Sequence, residues 1–155
     1  VKNAVLAIFC FCFIEGSIPI QTVQYDGLIE RLNLSSDTTY VVNFWATWCK
    51  PCVAELPVFE SLHQQSSNKP IKVILVSLDF PDQIDNRLIP FTKQRQIQSE
   101  VILLDDPDAN TWIPKVDKNW SGSIPATWIL RGKKKQFHEG SLDSLELNNQ
   151  LQKVL

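Results

Sequence analysis

At 155 residues, 44% of them hydrophobic, and with a formal net charge of −2, the chain has the length and apolar content of one globular domain. That balance excludes a disordered chain and offers no basic surface for nucleic acid; the one basic cluster, Arg131-Gly132-Lys133-Lys134-Lys135, reads as a solvated hairpin turn. Of the four cysteines, Cys10 and Cys12 lie at the front, and Cys49 and Cys52 form a close pair further on.

The front of the chain carries one early cation, Lys2, followed by an apolar run from Ala4 to Ile14. A bilayer crossing needs about 20 apolar residues, so this run is too short to span one. It reads instead as the core of a signal peptide, followed by the small residues Gly16 and Ser17. We expect a signal peptide over 1–17 and a single domain over 18–155, the alternative being a buried N-terminal strand. Cys10 and Cys12 lack the small-residue context of a lipidated cysteine. Asp26 is placed to cap a short helix with Leu28, Ile29 and Leu32 inward. Tyr40–Ala46 is a nearly continuous apolar run, the pattern of a central strand covered on both faces. A helix follows from Cys49 to about Ser66, burying Leu56, Phe59 and Leu62, with Pro57 expected to kink it. Ile71–Leu78 is the next strand, joined by a crossover and therefore parallel. Asp82 begins a helix through about Gln96 with Ile84, Leu88 and Phe91 on one face, and Val101–Leu104 is a short extra strand. Ala126–Leu130 and Gln136–His138 form a hairpin about Arg131-Gly132. Leu142, Leu145, Leu151 and Val154 line a closing helix.

Trp48-Cys49-Lys50-Pro51-Cys52 sits at the seam between the apolar strand and the helix behind it. The unpaired N–H groups and positive dipole end of a helix stabilise an anion, so the first cysteine is set up as a thiolate near neutral pH. One helical turn separates the two cysteines, which lets the pair close into a disulfide, and Pro51 suits the first turn, where its missing N–H costs nothing. Lys50 adds positive charge beside Cys49, an effect that exposure and salt keep modest. The competing reading of such a pair is half of a zinc site. Zinc needs four ligands, or three and a water. His63 and His138 stand alone, and Cys10 and Cys12 belong to the front segment, so neither metal nor cofactor is expected.

The stretch Val42-Asn43-Phe44-Trp45-Ala46-Thr47-Trp48-Cys49-Lys50-Pro51-Cys52 resembles the active-site segment of the thioredoxin superfamily. With Asn43, and with Glu55 three residues beyond Cys52, it resembles the exported TlpA/ResA-like branch. Ser123-Ile124-Pro125-Ala126-Thr127 resembles that family's cis-proline loop, and the resemblance runs from about Tyr40 to the end of the chain. It implies an α/β, thioredoxin-like fold, a central mixed β-sheet flanked by helices, with Asp105–Gly122 as an insertion before the cis-proline loop. In that insertion Trp112 is read as packing onto the core, while Trp120 stays open between packing and a substrate groove.

The resemblance also implies roles. Cys49 is the attacking thiolate and Cys52 the resolving thiol of a redox disulfide. Minimal thioredoxins use an aspartate on the central strand as the base for resolution. The matching residue here is Asn43, which cannot titrate, so proton transfer to and from Cys52 is assigned to Glu55, against the alternative of an exposed helical glutamate. Trp48, Ile124 and Pro125 are expected to bind substrate, Ile124 by pairing its backbone with an extended chain; for Trp48 the alternative is packing beside Trp45. The implied activity is that of an exported thiol–disulfide reductase in the periplasm or cell envelope. It would act on cysteine-containing exported proteins such as apo-cytochrome c with its CxxCH heme site, with electrons from a membrane-bound thiol donor. The alternatives are a disulfide oxidase or isomerase and a non-catalytic thioredoxin-fold binding module. A peroxiredoxin would place its cysteine in a Pro…Thr-x-x-Cys context, whereas Thr47 lies two residues before Cys49 with no proline ahead of it.

Overall fold

The computed structural model describes residues 20–155; the expected signal peptide, with Cys10 and Cys12, lies outside the described residues. The strands are β1 (Gln21–Val23), β2 (Thr39–Trp45), β3 (Ile71–Ser77), β4 (Glu100–Leu104), β5 (Ala126–Arg131) and β6 (Lys134–Glu139). The α-helices are α1 (Tyr25–Arg31), α2 (Lys50–Gln65), α3 (Ile89–Gln94), α4 (Ala109–Val116) and α5 (Ser144–Gln152). One sheet takes all six strands in the order β1-β4-β3-β2-β5-β6. Pairing is parallel from β1 through β4 and β3 to β2, and antiparallel from β2 through β5 to β6. This is the mixed, helix-flanked sheet that the resemblance implies.

β2 is paired on both edges and buried along its whole length. Its alternating side chains therefore divide the core in two. Tyr40, Val42 and Phe44 face Leu28 of α1 and Trp112 and Val116 of α4. Val41 and Trp45 face the opposite layer, with Cys52, Leu56 and Phe59 of α2, Leu88, and Leu147 and Leu151 of α5. Fully burying one such large side chain stabilises by about 1.5–3 kcal/mol. Apolar packing on both faces of β2 thus holds rigid the platform from which the residues after Trp45 emerge.

Several elements differ from the sequence reading. Asp26 does not cap α1: Gln24 occupies that position without a side-chain bond, and Asp26 lies in the first turn. The entry to α1 is held instead by the Tyr25 N–H, which donates to Asp106 Oδ2 at 3.1 Å. The helix expected from Asp82 is three short pieces, a 3-10 turn at Pro81–Gln83, a π turn at Ile84–Leu88, and α3. Pro90 is the cause: it has no N–H to continue the α ladder, and the Ile89 N–H reaches back to the Ile84 carbonyl in a wider turn. Within α2, Pro57 lies inside the helix without ending it. Leu145, expected inward, is 68% exposed, and Leu147 and Leu151 form the buried stripe of α5. The shift follows from the capping box, in which Asp143 Oδ1 accepts from the Glu146 N–H and Glu146 Oε2 from the Asp143 N–H. The expected insertion contains α4, and both of its tryptophans pack: Trp112 and Trp120 lie against each other and against Phe44.

Candidate active site

The chain leaves β2 at Trp45 and turns through Ala46 to Trp48 before α2 begins. Cys49 is the N-cap of α2: its N–H donates to the Ala46 carbonyl at 3.1 Å, and its Sγ lies 3.3 Å from the Cys52 N–H. Cys49 and Cys52 are joined as a disulfide. Cys52 is fully buried, whereas Cys49 retains 6% of its surface at the edge of the site. That difference in access separates an outer sulfur from an inner one. Lys50 and Pro51 are exposed in the first turn. Trp48 is 49% exposed, in contrast to the fully buried Trp45, so it is a surface residue beside the disulfide and not a core partner of Trp45.

The opposing loop comes from the far side of the sheet. The Ile124–Pro125 peptide bond is cis, and the Ile124 carbonyl oxygen lies 3.7 Å from Cys49 Sγ. Trp120 ties this loop down, its Nε1–H donating to the Ser123 carbonyl at 2.8 Å while its ring packs on Phe44 and Phe137. Ser121 and Ser123 add a surface clasp, both hydroxyls meeting each other and Ser121 also bonding Glu139 through its N–H and hydroxyl. Trp120 therefore acts through the core, supporting the loop that carries Ile124.

Glu55, on the inner face of α2, is 4% exposed, so the exposed-helix alternative does not hold. Its Oε1 accepts from Asn43 Nδ2 at 2.9 Å and its Oε2 from the Leu142 N–H at 2.8 Å. Burial raises the carboxyl from its ordinary 4.5 to about 6, with the Leu142 and Asn43 hydrogen bonds pulling the other way. A carboxyl with that value exchanges a proton near neutral pH. It sits three residues along the same helix from buried Cys52, the spacing at which helical side chains are neighbours.

One cluster was not foreseen. Asp79, just past β3 and 3% exposed, accepts from the Thr47 N–H at 3.0 Å, the Thr47 hydroxyl at 2.5 Å and the Ser77 hydroxyl at 2.8 Å. Arg87 Nε–H in turn donates to Thr47 Oγ1 at 2.7 Å. This carboxylate anchors the turn that delivers Trp48 and Cys49. A signal was present in the sequence, an aspartate directly after an apolar parallel strand, at the strand end where α/β sheets place their sites. Among the described residues no group of three or more His, Cys, Asp or Glu could hold a metal ion.

With this geometry in place, comparison with known proteins gives a consistent picture. A family model described as the AhpC/TSA family matches residues 21–135. The chain is 29% identical over 117 residues to the thiol-disulfide oxidoreductase ResA of Oceanobacillus iheyensis, a match covering 68% of this chain and 53% of that protein. It is 30% identical over 113 residues to the thioredoxin-like protein YneN of Bacillus subtilis, covering 72% of this chain and 62% of that protein. The matched region thus spans between half and two thirds of the length of these relatives. Among solved structures, a thioredoxin-related protein from Neisseria meningitidis serogroup B superposes with a TM-score of 0.63 at 23% identity, covering 76% of this chain and 84% of that one. StoA from Bacillus subtilis gives a TM-score of 0.55 at 20% identity, covering 74% and 82%. Those two likenesses establish the thioredoxin-like fold.

Proposed function

The chain belongs to the AhpC/TSA family, and we propose that within it this domain is an extracytoplasmic thiol–disulfide oxidoreductase working as a reductase of other exported proteins. The observation that carries the reading is the arrangement of the pair: Cys49 at the mouth of α2, Cys52 buried behind it, and Glu55 buried on the same helix. In the reduced protein Cys49 is the thiolate, favoured by the helix N-terminus and by the Cys52 N–H directed at its sulfur. It attacks one sulfur of a substrate disulfide, forming a Cys49–substrate bond and releasing the other substrate sulfur as a thiolate that takes up a proton. Cys52 then loses its proton to Glu55 and attacks Cys49 Sγ. The Cys49–Cys52 disulfide forms, the mixed disulfide breaks, and the second substrate sulfur leaves reduced. Two electrons have passed to the substrate, and a thiol donor must return two to the pair.

Trp48, Ile124 and Pro125 form the docking surface in this reading. An extended substrate adds to the Ile124 backbone beside Cys49 Sγ, and half-exposed Trp48, next to Cys49 in the chain, offers a second contact. Relatives named thiol-disulfide oxidoreductases support the chemistry. The finer proposals are ours: apo-cytochrome c-like substrates with paired cysteines, a membrane-bound thiol donor, an export signal over 1–17 and a single domain over 18–155. Among the described residues no helix is long and apolar enough to cross a membrane.

The deciding experiment is the reduction potential of the Cys49–Cys52 pair, from equilibration against dithiothreitol with tryptophan fluorescence as the readout. A value near or below about −250 mV is expected for a reductant. A value of about −120 to −180 mV would turn the proposal towards an oxidase or isomerase, and failure to cycle at all would leave a binding module.

A further inference from the structure

Asn43 is a polar residue where the fold asks for an apolar one. It sits at the centre of β2, in register with Leu75 of β3 and Thr127 of β5, and is fully buried. Its Nδ2 has three acceptors within reach: Glu55 Oε1 at 2.9 Å, Thr127 Oγ1 at 3.3 Å and the Ala126 carbonyl at 3.4 Å. The carboxylate is much the nearest. Its Oδ1 is buried with no partner. A buried acceptor left unpaired is destabilising, so packing does not account for an amide at this position. A valine such as Val41 or Val42 would fill the strand without that penalty.

The two oxygens of Glu55 are held separately, Oε1 by Asn43 and Oε2 by the main-chain N–H of Leu142, which fixes the plane of the carboxylate. Among the described residues no ion pair reaches Glu55. From β2 the facing group is the neutral Asn43 amide, and from β5, behind it, the Thr127 hydroxyl. On β6, beyond β5, His138 is the register partner of Thr127. From the loop before α5 comes the Leu142 N–H, while the neighbouring Asp143 and Glu146 are exposed and bonded to each other. On α2 itself the titratable neighbour is Cys52. Among the described residues the ion pairs are those of Arg31 and Lys72 with Glu100, so no cation holds Glu55. Two N–H dipoles are left to stabilise its ionised form, and Asn43 supplies the one that comes from a side chain.

We infer that Asn43 is a positioning residue for the redox reaction: its side-chain amide orients the Glu55 carboxylate and favours the ionised form that accepts the Cys52 proton. This rests on the role given to Glu55 above. An N–H donating to a carboxylate stabilises the charged form, so removing it leaves Glu55 protonated to higher pH and resolution starved of base.

The test follows the reduced protein as it reacts with oxidised glutathione, with the Cys49 mixed disulfide quantified by acid quench and mass spectrometry from pH 5 to 9. Resolution in the unchanged protein should rise with pH through the Glu55 midpoint, which lies at about 6 in the oxidised protein. In Asn43→Leu the midpoint should move up by about one pH unit, the worth of one hydrogen bond to a charged group. The rate then falls about fivefold at pH 6 and by less than about 1.5-fold at pH 8. Asn43→Ser, smaller and too short to reach Glu55, should shift the midpoint the same way. In a Glu55→Gln background, Asn43→Leu should change the resolution rate no further. The unchanged protein offers a readout needing no variant: the Asn43 side-chain NH2 resonances should titrate with the Glu55 midpoint. A uniform slowing at every pH, a midpoint that does not move, or amide resonances indifferent to pH would each overturn the inference. If Glu55→Gln itself resolves at the parental rate, the assignment of Glu55 falls first. If Glu55→Gln is slow and the Asn43 variants keep the parental midpoint, the role of Asn43 alone falls.

Discussion

Replacing Glu55 by glutamine should make the oxidised protein more stable above pH 6 while slowing its chemistry. Glu55 is 4% exposed and its carboxyl lies at about 6, against the ordinary 4.5, with burial as the leading cause. The folded protein therefore holds this proton more tightly than the unfolded chain does. The stability that the protonated group contributes is fully present below about 4.5 and is lost as pH rises through about 6. The interval between the two values corresponds to about 2 kcal/mol, of which about 1–2 kcal/mol should be measurable. Glutamine removes the titration without leaving a gap. Its Oε1 can accept from the Leu142 N–H, and its Nε2 would meet Asn43, whose Oδ1 has no partner and is free to accept once the amide turns over. Urea unfolding of oxidised parent and variant, followed by tryptophan fluorescence, isolates the effect, because every other titrating group is common to both. The two stabilities should agree at pH 4.5 and diverge by pH 8, the variant being the more stable by about 1–2 kcal/mol. Curves that stay parallel across this range, or a parent that gains on the variant as pH rises, would refute the reasoning about Glu55.

Asp79→Ala leaves the Thr47 N–H and two hydroxyls without their acceptor, so a loss of about 2–3 kcal/mol is expected in urea unfolding, together with slower attack by Cys49. Unchanged attack kinetics would reduce Asp79 to a fold-stabilising role. Trp48→Ala should alter stability by no more than about 0.5 kcal/mol, since the residue is half exposed, yet slow the reduction of a polypeptide disulfide about fivefold or more. Oxidised glutathione, too small to use the proposed docking surface, should react at the parental rate; equal effects on both substrates would remove Trp48 from that surface. Leu147→Ala should cost about 2–4 kcal/mol and Leu145→Ala less than about 0.5 kcal/mol, because only the first lies in the core. Similar losses in the two variants would mean that α5 packs through a different face.

How far the sequence could be read depended on whether the deciding interactions were local. β2 and β3 were legible because strands covered on both faces are predominantly apolar, as Tyr40–Ala46 and Ile71–Leu78 are. β1 was not, since Gln21 and Thr22 are exposed and the strand exists through backbone pairing with Ile102–Leu104, some eighty residues away. α4 was hidden by Pro114 within a helix of eight residues. In the site, the cysteine pair and Pro125 belong to short motifs, so their positions followed from neighbouring residues. The hydrogen bond from the Leu142 N–H to Glu55 joins residues 87 apart, and that from Thr47 to Asp79 joins residues 32 apart. Only the packing of loops and helices around the sheet brings such groups together.

The packing of α2 on β2 also bears on the choice of an amide at position 43 and a carboxyl at position 55. Their polar atoms lie 2.9 Å apart, and among the described residues no cation pairs with Glu55, so two carboxylates there could not both be ionised. One would retain a proton, and the base proposed for Cys52 would become a shared pair titrating in two steps. Asparagine on the strand avoids this and leaves Glu55 as the single titrating carboxyl behind the disulfide. The two residues are therefore one unit, and changing either alters the proton chemistry of both. In Asn43→Asp the single midpoint for resolution should split into two, one below and one above 6. Adding Glu55→Gln should restore a single midpoint, now carried by the strand. If the pH profile of Asn43→Asp keeps one midpoint near 6, the two side chains are not coupled, and the acid on the helix works without the strand beneath it.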